Sequence, residues 1–273
     1  MMNGGAKELQ SAAMHPVEVA FIRNLLAALG ITAIIAWVKK DHTLFKTHYF
    51  KGQLIRAALG NASLIVAFWA VSLLPLADVV ALWFSVPLIV LVLSALLLKE
   101  RVGPWRWGAV LCGFGAVCLI AQPAVALDNS FGVIVGLVSS CLIAAVSINL
   151  RHLGQKNEHP LTTTFFFLVS GAVFCGALVP FFWTGALLNM RLIWTILLVA
   201  AAGLTAQILK TEAFRLAEAS LLSPFSYLSI LWATLIGWFF FGEMPDMMVI
   251  IGCILLVLSN LIVLWRTRKL MKT

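Results

Sequence analysis

The hydrophobic pattern of the chain is a series of long, nearly uncharged runs separated by short polar breaks. The runs lie at 17–38, 53–73, 76–98, 104–121, 131–150, 161–183, 192–211, 219–241 and 247–265. Each is close to the ~20 apolar residues that carry a helix across ~30 Å of hydrocarbon. Backbone polar groups in lipid must be paired within their own segment, so runs of this length read as helices. The ~10-residue alternating segments of a membrane barrel do not occur in the sequence. The expectation is an all-α integral membrane protein with about nine transmembrane helices.

Two of the runs echo each other. Leu76–Glu100 and Ala219–Glu243 are almost uncharged until a closing glutamate, and breaks follow at Gly103-Pro104 and at Met244-Pro245-Asp246. Aligning Glu100 with Glu243, an offset of 143 residues, also puts Ala70 on Ala213. His15-Pro16 echoes His159-Pro160 at an offset of 144, with Lys7 on Arg151, Leu9 on Leu153 and Phe21 on Phe165. The chain reads as one unit written twice, over 1–122 and 131–267, with a polar tail at 268–273. The second unit holds five runs, starting near 131. The first holds four, and residues 1–14 correspond to about 145–158, the tail of the second unit's first helix. The parent pattern is therefore five plus five with the first helix truncated. On this reading the DNA upstream of Met1 encodes, in frame, roughly 15–25 further apolar residues, and the longer product is the active one.

Composition agrees with the pattern. The chain is 62% hydrophobic and 11% charged, against about 25% charged residues in soluble domains, so a water-soluble domain is excluded. The net charge of +8 does not point to nucleic acid, because the basic residues sit in short loops. One set of loops holds Lys39, Lys40, Lys46 and Lys51, then Lys99, Arg101 and Arg106, then Arg151 and Lys156, then Arg215, and finally Arg266, Arg268, Lys269 and Lys272. The opposite loops at 122–130 and 184–191 hold only Arg191, and those at 74–75 and 242–246 hold none. Basic loops face the cytoplasm, so the C-terminus is inside and nine spans place the N-terminus outside. Five spans per unit also turn the two units upside down relative to each other. Inverted repeats around a midplane site characterise secondary transporters.

A charge at the bilayer centre costs ~2.5–3.5 kcal/mol on insertion scales, so charges inside the runs are informative. Arg23 lies about six residues into its run, roughly 9 Å at 1.5 Å per residue. It either lines a cavity and binds an anionic group or snorkels to the outer headgroups. Lys210 is the deepest of a charged set with Glu212, Arg215 and Glu218; Glu212 and Arg215 are three apart and can pair. Asp78 reads as a helix-start residue, and Glu100 and Glu243 as structural. Asn61, Ser85, Asn149, Gln207, Tyr227 and Ser229 lie within runs, as bonds between helices or as substrate contacts. Trp69, Trp83 and Trp232 are away from the interfaces, where rings either pack or stack on a flat substrate. Gly132 and Gly136 form a GxxxG that permits close helix contact. Pro87 and Pro224 interrupt the backbone ladder, as the site helices of transporters often do. The candidate cavity residues are Arg23, Asn61, Trp69, Trp83, Gln207, Lys210, Tyr227 and Trp232.

The five cysteines lie inside apolar runs without CxxC or metal-ligand spacing and read as packing residues. No P-loop, zinc motif or nucleophile elbow occurs. Catalytic residues, metal ligands and a cofactor are accordingly not expected.

Three stretches carry a family resemblance. They are His15-Pro16 followed after six residues by Arg23, residues 74–117, and residues 217–246. They resemble the drug/metabolite transporter superfamily, EamA type, whose repeated signature is a small-residue-rich helix, a proline or polar kink, a closing Gly-Glu or Lys-Glu, and a short glycine-containing helix. The resemblance covers nearly the whole chain and both halves. It implies a ten-helix fold, from which this chain departs at its N-terminus, and an Arg at the place of Arg23. It also implies a secondary transporter moving a small metabolite or drug-like molecule across the bacterial cytoplasmic (inner) membrane by alternating access. Its partners would be a small-molecule substrate and the lipid bilayer, with no nucleic acid; a homodimer stays open. Ser223–Tyr227, SPFSY, resembles a branch that includes riboflavin and S-adenosylmethionine carriers. A non-transporting or truncated membrane subunit is the alternative reading. A membrane enzyme is a further one, and it lacks a convergent acid–base or metal set.

Overall fold

Every apolar run is helical in the structure, a computed structural model that describes residues 16–74, 76–100, 102–121, 130–182, 190–241 and 247–270. The helices are α1 (Pro16–Ala33), prolonged by a π-helical turn at Ile34–Lys39, α2 (Phe50–Leu73), α3 (Leu76–Trp83), α4 (Val86–Leu97), α5 (Pro104–Ala121), α6 (Ser130–Gln155), α7 (Pro160–Phe182) and α8 (Met190–Leu216). A short α9 (Ala219–Leu222), a 3₁₀ turn at Ser223–Tyr227, α10 (Leu228–Phe241) and α11 (Met247–Leu270) follow. Proline opens α1, α5 and α7, where its missing N–H goes unneeded and its fixed φ already suits a helix. Six stretches are long and apolar enough to cross a membrane: Val17–Trp37, Phe50–Leu73, Val79–Leu97, Ser130–Gln155, Pro160–Phe182 and Ile196–Leu216. Ala219–Trp232 and Met247–Ile262 are shorter apolar stretches. The chain is an all-α integral membrane protein. Large side chains left uncovered, Trp37, Phe181 and Trp194 among them, are what lipid-facing helices present.

Two runs are not single helices. Run 76–98 is divided into α3 and α4 by a turn at Phe84-Ser85. Pro87 has no N–H for the Trp83 carbonyl, and its ring crowds that carbonyl. Run 219–241 is broken in the same way at Pro224. There the Ser223 hydroxyl takes the place of the missing amide and donates to the Ser220 carbonyl at 3.4 Å. Other helices outrun their apolar segments: α6 reaches Gln155 and α8 reaches Leu216. Polarity ends a hydrophobic run without ending the i→i−4 ladder. Residues 1–15, the loops at 122–129 and 184–189, and 242–246 with Glu243 lie outside the described residues.

Two compact units draw on both halves of the chain: Met1–Asn61 with Asn149–Leu216, and Ala62–Ile148 with Ala217–Thr273. In the first, α1 packs along α7 and, less extensively, α8. Its core is Ala27, Ala28, Ile31, Ile35, Leu161, Leu168 and Leu204. In the second, α5 packs along α11, and Leu91, Val110, Ala116, Val117, Tyr227 and Leu256 fill the core. Pro16 and Pro160, which open α1 and α7, are 144 residues apart; Pro104 and Met247, which open α5 and α11, are 143 apart. The dominant helix pair of each unit therefore joins segments that the repeat makes equivalent. Of the GxxxG of α6, Gly136 lies against α3. A Cβ on Gly136 would lie 2.4 Å from Leu82 Cδ1, so the glycine leaves room for the Leu82 side chain of α3.

Each unit is fastened by a carboxylate. In the second, Glu100 accepts from the Ala219 and Ser220 amides at 3.1 and 3.0 Å and from the Ser220 hydroxyl at 2.8 Å, capping α9. In the first, the buried Glu158 accepts from the Tyr49 amide at 2.6 Å, the Thr47 hydroxyl at 2.9 Å and Gln53 Nε2 at 3.2 Å, fixing the entry to α2. Both glutamates follow a left-handed residue, Lys99 at φ 54° and Asn157 at φ 59°. That turn ends one helix and aims the carboxylate at the next.

Candidate functional site

The first unit contains a cleft. Arg23 and Ala27, one turn apart on α1, face Gly203, Ala206 and Gln207 on α8, and Leu168 of α7 closes the side. Its volume is about 40 Å³. Positions 203, 206 and 207 share one helix face by their spacing of three and four, and two of them are small, which leaves the room. Arg23 Nη2 donates to Asn24 Oδ1 at 3.1 Å, one of five guanidinium donors. Asn24 and Asn61 both stand over Gly171 of α7. A polar group of Arg23, Asn24 and Asn61 thus lies inside apolar helices, with Gln207 across the cleft.

Lys210 continues the same α8 face one turn beyond Gln207 and lies within electrostatic reach of Arg56. The sequence reading does not single out Arg56, although Gln53, Arg56 and Gly60 share one face of α2 by their spacing of three and seven. Arg56 is only 3% exposed. Its guanidinium carbon sits 3.8 Å from the Phe167 ring centre, a cation–π contact. Its Nε and Nη1 are buried with no hydrogen-bond partner. A Cβ on Gly60 would lie 2.6 Å from both Arg56 Nη1 and Phe167 Cε2, so the glycine makes the space for this stack.

The remaining sequence candidates lie in the second unit. Trp83 Nε1 donates to Ser139 Oγ at 2.7 Å. Trp69 meets Phe131 edge-on, with centroids 5.6 Å apart. Tyr227 is buried and its hydroxyl donates to the Phe84 carbonyl at 3.0 Å. That bond joins the two proline breaks, and Phe84 is the residue 143 positions before Tyr227. Trp232 is 63% exposed. The structure thus brings Arg23 and Gln207 into one cleft, with Asn61 and Lys210 nearby in the same unit, and places the four aromatic candidates in the other.

The charged set beyond Lys210 serves the helix ends. Arg215 donates to Glu212 at 3.1 and 2.5 Å, the pair its spacing suggests. Arg151 Nη1 donates to the Phe214 and Arg215 carbonyls at 3.3 and 3.0 Å, covering the C-terminus of α8. Glu218 pairs with Arg106, which also donates to the Ser220 hydroxyl at 2.6 Å. Among the described residues no three His, Cys, Asp or Glu side chains converge as metal ligands, and Cys112, Cys118, Cys141, Cys175 and Cys253 are free.

Comparison with known proteins adds a consistent picture. The sequence profile described as the EamA-like transporter family matches residues 5–122 and again residues 130–265. The pseudopaline exporter CntI of Pseudomonas aeruginosa (strain UCBPP-PA14) is 29% identical over 271 residues, covering 98% of this chain and 92% of its own. A riboflavin transporter of Rhizobium johnstonii is 31% identical over 93% of this chain and 80% of its own. An S-adenosylmethionine uptake transporter of Rickettsia bellii is 21% identical over 94% and 87%. A solved crystal structure shares the fold, with a TM-score of 0.79 at 17% identity over 92% of this chain and 88% of its own. The matched profile and these relatives are named as transporters rather than enzymes.

Proposed function

The chain belongs to the EamA-like transporter family, and from that premise we propose that it is a secondary transporter working by alternating access of two inverted repeats, 1–122 and 131–267. It moves a small organic metabolite across the bacterial cytoplasmic membrane. The observation that carries this reading is the pairing of equivalent helices, α1 with α7 and α5 with α11. Matching elements meet each other where a two-fold axis passes between them, and inverted halves can exchange outward- and inward-open forms about a central site. The bond from Tyr227 to its equivalent Phe84 repeats that relation at the scale of one residue. Arg23 and Gln207 are the substrate contacts, assisted by Asn61 and Lys210.

The test compares metabolites inside and outside cells that express the chain with those of vector cells. At least one small metabolite is expected to change its distribution. Arg23→Ala or Gln207→Ala should lower that flux about tenfold, the worth of ~1.5 kcal/mol from one charge-assisted hydrogen bond, at an unchanged protein level in the membrane. Identical profiles with and without the chain, or full flux in both variants, would sink the reading.

A further inference from the structure

Arg56 and Lys210 make an arrangement that packing alone does not explain. Arg56 lies six residues from the start of α2 and Lys210 six residues from the end of α8. At 1.5 Å per residue each is about 9 Å from the basic-loop end of its own helix. They belong to one compact unit, and Arg56 is the charge that acts on Lys210. Neither takes part in an ion pair with a described carboxylate, whereas Arg106 pairs with Glu218 and Arg215 with Glu212. Glu158 is bonded to Gln53, one turn before Arg56, but its two oxygens are taken by Tyr49, Thr47 and Gln53. Two cations within electrostatic reach of each other repel. A buried guanidinium with two unbonded nitrogens is costly to the fold unless a counter-charge arrives.

The fold nevertheless makes room for this arrangement. Gly60 gives up a side chain so that Arg56 can stack on Phe167. The stack holds the guanidinium plane still while Nε and Nη1, donors on opposite sides of that plane's outline, stay unbonded, each able to donate to an oxyanion. Lys210 adds a point charge on the α8 face that lines the cleft through Gly203, Ala206 and Gln207. We propose that Arg56 and Lys210 form an oxyanion subsite, and that the substrate presents a carboxylate or phosphate group to it. This rests on the transporter reading for the word substrate, but the binding site itself does not require it.

The experiment measures thermal unfolding of the full chain in phosphatidylcholine nanodiscs, with citrate, inorganic phosphate, or sodium chloride at matched ionic strength. Citrate or phosphate is expected to raise the midpoint by about 2–4 °C over the chloride control. Arg56→Met should lose that response while unfolding, without added anion, at or above the wild-type midpoint, because it removes an unpaired charge. Lys210→Met should weaken the response. No rise with either oxyanion, or an equal rise in Arg56→Met, overturns the subsite. Should Arg56→Met not fold, a full response in Lys210→Met overturns it instead. A second set of nanodiscs containing phosphatidylglycerol separates solute from lipid. If that lipid stabilises the protein and abolishes the citrate and phosphate responses, the site is a headgroup site and the substrate claim fails. Metabolite flux without any oxyanion response removes this inference and leaves transport standing. An oxyanion response without any flux does the reverse.

Discussion

His159 Nδ1 accepts the Leu161 amide at 3.2 Å and caps the first turn of α7. A protonated imidazole has no acceptor nitrogen, so this cap exists only in the neutral ring. Burial lowers the His159 pKa, and Arg215 and Lys39 act in the same direction against Glu212 and Asp41. A base with a lowered folded pKa binds fewer protons folded than unfolded. Its contribution is therefore complete above the unfolded pKa of about 6.5 and is lost as pH falls through the lower folded value. The wild type should lose more thermal stability between neutral and mildly acidic pH than His159→Asn, which keeps a cap without a proton to gain. Parallel pH profiles for the two proteins would refute this. The His159-Pro160 pair is visible in the sequence as a repeat marker; its capping role is not, because a cap depends on local backbone direction.

At the scale of the element, the two proline breaks depend on each other. A break leaves carbonyls without an i+4 amide, and the Tyr227 hydroxyl answers at the Phe84 carbonyl. Tyr227→Phe keeps the ring that Leu91, Val110 and Leu256 pack with and removes only that bond. Unfolding of the variant should show a loss of about 1–2 kcal/mol, a midpoint lowered by a few degrees. An unchanged midpoint would mean that the carbonyl finds another donor. The positions of both breaks were legible in the sequence, since proline's effect is local. That one break bonds to the other was not, because their partners are 143 residues apart.

At the scale of the whole molecule, the basic loops predict orientation. In a chain with its five cysteines replaced, Ala126→Cys should react with an impermeant thiol reagent applied outside intact cells, and Gln155→Cys should not. Rapid outside labelling at 155 with none at 126 would reverse the topology and move the Arg56 and Lys210 end of the helices to the outer surface.

Sequence by itself determined that the chain is a bundle of membrane helices, where those helices begin, which two are broken, and that the pattern is written twice. These are local properties, set by hydropathy, by proline and by the offset of one segment against another. Even the Glu212–Arg215 pair follows from spacing alone. Only the tertiary structure decided that each compact unit takes helices from both halves, and that equivalent helices meet as its main pair. It also decided what Arg56 is. In sequence that arginine sits near the start of an apolar run and passes for another basic residue of the cytoplasmic side. In the fold, Phe167 and Gly60 bury it and no described carboxylate reaches it. A charge takes its meaning from what surrounds it, and Phe167 arrives from a helix more than a hundred residues away.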